Sequence, residues 1–366
     1  MSHAGHHKKL ILVIGATGAQ GIAVIDKLLA PSEDGSPSPY AVRALTRDPD
    51  NPRARELAAK GVECVKGSFD DFASVATALR GVYGAWVNTD GFTVCEMTEI
   101  WCGLRIFELA QQAGLRHYVY SALDYLGKWD PKYRCQHSDG KGYVADWMKS
   151  QPSVAGDTGM TWSIVHTTPY MDMLHEHMFG PVKRREDGTV VFASPIGHGH
   201  IPMIALADVG FFARYTFDNR AALSGAELKV ASDWVSWDYL VETFTKVTGQ
   251  KAEYVPITLD QWFDRFTFAD MPLTREQSIG DELWTFRKNF SAWWTMWHDD
   301  LVKRDFEWIR KVNPNVYTLE KWMREKNYGD EEVLWRWQKT LARGSILKGV
   351  ADRQGLGFNF DAIAQL

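Results

Sequence analysis

No apolar stretch in this 366-residue chain approaches the roughly 18 residues that a membrane-crossing helix needs, and the first residues lack the apolar core of a secretory signal. Neither membrane insertion nor export is expected. Charge of one sign is also missing: 41 Lys and Arg stand against 46 Asp and Glu, a net charge of −5. Such a surface has no general attraction for nucleic acid or for an anionic membrane. Cysteine is scarce, and Cys64, Cys95, Cys102 and Cys135 form no C-x-x-C pair, so the expectation is free thiols in a reducing cytosol. His3, His6 and His7 sit in a short polar leader, read as a frayed terminus rather than a metal site. Tryptophan is in excess, with 16 residues, most of them beyond residue 230. The length suits one large domain with an appended lobe, or two domains.

The most informative stretch is Val13-Ile14-Gly15-Ala16-Thr17-Gly18-Ala19-Gln20-Gly21, an apolar strand that meets three glycines spaced three apart and then the amphipathic run Ile22 to Leu29. A strand, tight turn and helix in that order aim backbone N–H groups and the positive end of a helix dipole at one point, which suits a phosphate. Gly15 would take the turn, Gly18 would admit a pyrophosphate, and Gly21 would let the helix pack on the strand. Thr17 and Gln20 are placed in the same site.

The next apolar run, Tyr40 to Thr46, ends at Arg47 rather than at an acidic residue. An Asp or Glu there would bind ribose hydroxyls, whereas Arg accommodates a 2′-phosphate. Arg47, with Arg43 and Thr46 nearby, therefore favours NADP(H) over NAD(H). Strand and helix patterns go on alternating: strands over 62–66, 83–88, 117–122 and 161–166, helices over 53–60, 72–80, 96–113 and 140–149. Six strands alternating with helices call for a Rossmann-like, doubly wound parallel sheet with its ligand at the carboxyl ends of the strands. Asn88, Thr89 and Ser121 fall at such ends. Asp70 and Asp71 follow the third strand, where a carboxylate could accept the adenine amino group or cap the next helix.

Four of these stretches, the Gly15–Gly21 loop, Val42 to Pro49, Tyr118 to Asp124 and His137-Ser138-Asp139-Gly140-Lys141-Gly142, together with Asn313-Pro314 and Thr318 to Met323 downstream, resemble the NmrA-like branch of the atypical short-chain dehydrogenase/reductases. The resemblance runs from about residue 9 to 330. It implies an NADP(H) domain over 1–166, a smaller, mostly helical lobe over 167–330 with some segments returning to the first domain, and an extension over 331–366. Some members are reductases, and others are silent sensors that bind the cofactor and regulate a protein partner.

Hydride transfer to a carbonyl, imine or activated double bond needs a proton donor beside the acceptor atom. In the typical superfamily member the donor is a Tyr with a Lys four residues later; here His137 and Lys141 hold that spacing and the Tyr is missing. The related isoflavone-reductase-like enzymes use a Lys where Lys141 stands, so Lys141 and His137 are the catalytic candidates, Lys141 also as a ribose ligand. Tyr133 and Tyr143 are possible substitute acids, although both read better as packing residues. Thr167 to Met171 would wall the substrate pocket, with Tyr170 in contact with the cofactor. The pairs His175/His177 and His198/His200 have chelating spacing, yet the surrounding carboxylates match no metal motif and no metal is expected. Thr258 with Gln261 predicts a capping box. The stripe Trp262, Phe263, Phe266, Trp284, Phe290, Trp293, Trp294, Trp297 reads as core first, and second as a lid over a flat aromatic substrate. Glu331 to Ala342 suggests a helix carrying Leu334, Trp335 and Trp337, in a tail that would cover its own subunit or dock on a second copy. The reading is an NADP(H)-dependent reductase of a small, aromatic or conjugated substrate, with a non-catalytic NADP(H) sensor as the alternative.

Overall fold

The computed structural model describes residues 8–176, 178–274, 284–335, 357 and 359–365. Strands β1 (Lys9–Ile14), β2 (Tyr40–Thr46), β3 (Glu63–Lys66), β4 (Gly84–Val87), β5 (His117–Ala122) and β6 (Thr161–His166) alternate with helices α1 (Ala19–Leu29), α2 (Pro52–Ala59), α3 (Phe72–Ala78), α4 (Glu96–Gln112) and α5 (Gln136–Met148). The central strands β4, β5 and β6 are buried along their whole length. That is the state of a parallel strand covered by helices on both faces.

After β6 the chain leaves through β7 (Lys183–Arg184), β8 (Val190–Ser194) and β9 (Ile201–Met203), then comes back with α6 (Leu206–Asp218) and β10 (Ala226–Lys229). The sheet therefore has seven strands, all parallel, in the order β10-β6-β5-β4-β1-β2-β3. α6 lies on α1, where a side chain at Gly210 would run into the backbone of Ala23. The boundary at residue 166 is thus crossed twice by returning segments.

Downstream of β10 come β11 (Asp233–Val235), α7 (Trp237–Thr248), β12 (Ala252–Pro256), α8 (Leu259–Phe263), α9 (Phe286–His298), α10 (Phe306–Val312), α11 (Leu319–Glu325) and α12 (Glu331–Leu334). β8 pairs with β7 and β12 in a three-stranded sheet, and β9 pairs with β11. The capping box of Thr258 and Gln261 starts α8. Trp237, Trp262, Trp294 and Trp322 are all fully buried in one aromatic cluster, so these rings form the core of the lobe rather than a lid. α10 belongs to the first domain, because Ile309 is in the core of the sheet and Trp308 stacks on Phe212.

The described part of the tail lies on its own chain. Gly357 and Asn359 run beside 265–267, with the Thr267 N–H donating to the Gly357 carbonyl at 3.0 Å and the Asn359 N–H to the Arg265 carbonyl at 2.9 Å. In the terminal helix Phe360–Gln365, Ile363 is buried against Val182, Val191 and Ala193. The helix expected over 331–342 is described only as α12, and Trp337 lies outside the described residues.

Candidate functional site

Gly15 turns at φ +79°, and a side chain there would come within 2.8 Å of the Asn88 carbonyl. The Gly18 N–H closes the turn onto the Gly15 carbonyl at 3.0 Å. Gly18 then caps α1 with no side-chain hydrogen bond, which leaves the leading N–H groups of the helix for a ligand. At Gly21 a Cβ would clash with the Gly15 carbonyl and the Ala16 backbone. These features fit a dinucleotide pyrophosphate: an anion cradle with no side chain in the way. Two contacts lock the loop. Arg53 Nη1 donates to the Thr17 carbonyl at 3.1 Å, and Gln20 Nε2 donates to the Tyr170 hydroxyl at 3.0 Å, tying the start of α1 to the segment after β6.

At the end of β2, Thr46 is buried and its hydroxyl accepts the Asp48 N–H at 3.4 Å, while Arg47 is exposed beside it. Arg43 points elsewhere. Its guanidinium donates to the Ala78 and Arg80 carbonyls at 2.7 and 2.8 Å and pairs with Glu63 at 3.0 Å. A cation satisfying the last carbonyl of α3 and one in the turn after it is a structural clamp. Helix capping belongs to Asp71, which accepts from the Ala73 and Ser74 N–H groups at 3.2 and 3.4 Å. Asp70 is exposed next to it.

Lys141 is buried at the centre of a polar cluster. Its Nζ donates to the Thr89 carbonyl at 2.6 Å and the Thr89 hydroxyl at 2.9 Å, approaches Asn88 Oδ1 at 3.4 Å, and pairs with Glu99 Oε1 at 2.8 Å. Glu99, fully buried on α4, also accepts from the Thr89 hydroxyl at 2.7 Å. It fits because Gly91 and Gly140 leave room for its carboxylate. Sequence reading missed Glu99. An acid in the first turn of a helix reads as a dipole partner, and only the packing of α5 on α4 turns it inward. Ser121 is buried at the end of β5.

α5 begins at Gln136, four residues ahead of the expected start, so His137 and Lys141 share one helix face. Asp139 supports the early start by accepting the Cys135 N–H at 3.0 Å. Gly140 and Gly142 are both close-contact positions: a side chain at Gly140 would press on the Glu99 carboxylate, and one at Gly142 would meet Tyr125. The His137 ring packs against Phe92 and Phe290, with centroids 4.8 and 5.4 Å away. Nδ1 lies 2.7 Å from Asn289 Nδ2 and 3.2 Å from Cys135 Sγ. Burial, reinforced by the Lys141 ammonium, pushes its pKa down to about 4. The ring is neutral near pH 7.

The Tyr133 hydroxyl donates to Asp299 at 2.9 Å, and Tyr143 faces solvent. His175 packs against Trp322 and Tyr328, His200 pairs with Asp300, and no group of three or more His, Cys, Asp or Glu side chains among the described residues is placed to hold a metal. His177 lies outside the described residues. A separate cleft of about 580 Å³ opens between α8, α9 and the terminal helix, lined by residues such as Phe263, Asp270, Arg287 and Asp361. None of the predicted site residues borders it.

A family model described as "NmrA-like family" matches residues 7–292. An NmrA-like family domain-containing oxidoreductase of Aspergillus hancockii, hkm9, is 28% identical over 281 residues, spanning 73% of this chain and 81% of that protein. Among solved structures, NmrA, a negative transcriptional regulator in complex with NADP, superposes with a TM-score of 0.66 at 18% identity, over 87% of this chain and 95% of that one. The NADPH-dependent quinone oxidoreductase QOR2 of Escherichia coli, complexed with NADPH, gives 0.60 at 19% identity over 86% and 99%.

Proposed function

The chain belongs to the NmrA-like family, and from that premise we propose that it is an NADPH-dependent reductase of a small carbonyl, imine or enone substrate of aromatic or conjugated character. The observation that carries the reading is the buried Lys141–Glu99 pair at the carboxyl end of β4. It adjoins the glycine loop through the approach of Asn88 to Gly15. A charged lysine held this firmly beside a dinucleotide cradle is built to bind hydroxyls and to fix charge, not to cover surface. The oxidoreductase named in Aspergillus hancockii and the NADPH-bound quinone oxidoreductase support the same chemistry.

NADPH, when bound, supplies the hydride. Gly15, Thr17, Gly18, Gln20 and Gly21 would hold its pyrophosphate, Thr46 and Arg47 its 2′-phosphate, with Asp70 toward the adenine. Asn88, Thr89, Ser121, Lys141 and Tyr170 would line the nicotinamide half. Lys141 keeps a positive charge next to the ribose, and His137 presents an uncharged imidazole one turn away toward the substrate.

The test is NADPH and NADH oxidation across aromatic ketones, quinones, imines and enones by wild type, Lys141→Ala and Arg47→Asp. Wild type should turn over at least one class with a preference for NADPH. Lys141→Ala should lose most of that rate, and Arg47→Asp should lose the preference. Absence of turnover on every class, with strong discrimination between NADP⁺ and NADPH in binding, would replace the reductase by the sensor reading.

A further inference from the structure

His137 stands at the helix position where a tyrosine donor is absent, and the atoms around it define where its own proton sits. Asn289, fully buried on α9, puts its carboxamide Nδ2 2.7 Å from His137 Nδ1 and its Oδ1 3.8 Å from Cys135 Sγ. Those contacts make a consistent chain: the thiol donates to the carboxamide oxygen and the carboxamide N–H donates to Nδ1. A neutral imidazole whose Nδ1 accepts carries its hydrogen on Nε2. Nε2 has no nitrogen or oxygen partner among the described residues, its recorded neighbour being Cys135 Sγ at 3.9 Å. A side chain more than nine-tenths buried thus keeps one donor unspent.

We infer that Asn289 is a positioning residue which holds the His137 hydrogen on Nε2, so that a neutral imidazole offers an N–H to the electronegative atom of the substrate. The inference rests on the reductase reading. In that reaction the substrate carbon gains the hydride as its C–H bond forms, and the C=O π pair moves onto oxygen. The Nε2–H stabilises the developing alkoxide, which takes its proton from water; the substrate is reduced and NADPH is oxidised. His137 does not give up its proton, which would leave an imidazolate. Its part is that of an oxyanion donor. Because Asn289 comes from the lobe and His137 from the first domain, the donor is set only when the lobe is packed in place.

The experiment begins without turnover. Histidine-selective ¹⁵N labelling, with His137→Gln used to assign the resonance, reads which ring nitrogen bears hydrogen at neutral pH. The expected result is hydrogen on Nε2 in wild type, and transfer to Nδ1 in Asn289→Asp, whose carboxylate can only accept. With an active substrate in hand, Asn289→Asp should lower kcat by about a hundredfold, the scale of a lost oxyanion donor, while KM for NADPH stays unchanged. Hydrogen on Nδ1 in wild type, or a full kcat in an Asn289→Asp variant that has switched tautomer, would overturn the inference. Failure of wild type to reduce any acceptor would defeat the reductase reading, and the tautomer measurement would then stand by itself.

Discussion

Glu99 and Lys141 show how much of a site can depend on one pair of side chains. A glutamate with no exposed surface bonds a lysine at 2.8 Å, and its second oxygen has no hydrogen-bond partner among the described residues. The pair is an arrangement that is costly to break from one side: removing one member strands the other, typically at about 3–5 kcal/mol. Glu99→Ala should therefore lower stability by several kcal/mol in denaturant titration, and Glu99→Gln, which keeps shape and an acceptor, by clearly less. Equal and small losses would mean that water reaches Lys141 and replaces its partner. Lys141 was legible through the resemblance of its local motif to the family's. Glu99 was not, since it lies 42 positions earlier and meets Lys141 only through the contact of two helices. Arg43 shows the limit of neighbourhood in sequence. Its place four residues before Arg47 suggested a shared role, but Arg43 is held by Glu63 and the Ala78 and Arg80 carbonyls, whereas Arg47 lies past the end of β2 and is exposed.

At the level of elements, the glycine loop and the strand-helix alternation were readable almost to the residue, because period and turn chemistry are written locally. The start of α5 was not. Local propensity puts the helix after Gly140, whereas the structure begins it at Gln136, and packing on α4 outweighs the glycine penalty of about 1 kcal/mol per residue. The same comparison of magnitudes sets the outcome at Gly21. Replacement by Ala would gain about 1 kcal/mol of helix propensity, but its Cβ would clash with the Gly15 carbonyl, and overpacking costs about 1–3 kcal/mol. Gly21→Ala should thus be destabilising on balance and should weaken NADPH binding, measured by calorimetry. A stabilised variant with unchanged affinity would show that α1 can slide away from β1 freely.

Across the whole molecule, the lobe is fastened by residues that sequence reading associated with the family rather than with a task. Asp208, buried on α6, accepts from the Ser232 hydroxyl at 2.5 Å, from Asn313 Nδ2 at 3.0 Å and from the Tyr317 N–H at 2.9 Å. Thr318 caps α11, and the Leu319 N–H donates to Asp233 at 2.8 Å. The Asn313 and Thr318 stretch is therefore a clasp between the first domain and the lobe. Asp208→Ala leaves two buried donors, Ser232 and Asn313, and the half-buried Tyr317 N–H to find new partners, the buried ones at about 1–3 kcal/mol each when unmatched. It should lower the melting temperature and open the 313–318 segment to limited proteolysis; wild-type protection of that segment would show that the aromatic packing of the lobe suffices.

By itself the sequence determined the parallel sheet, the dinucleotide cradle, the order of the elements and the candidacy of Lys141 and His137. The first three follow from periodicity and turn chemistry over a few residues, and the candidacy of Lys141 and His137 from the resemblance of a short motif to the family's. Tertiary structure alone decided that the tryptophans of the lobe are core and that β10 and α10 return to the first domain. It also decided that Glu99 pairs with Lys141 and that Asn289 reaches His137 from 152 positions away. Contacts of that kind depend on which faces meet when helices and lobe close on the sheet, and no local pattern carries that information.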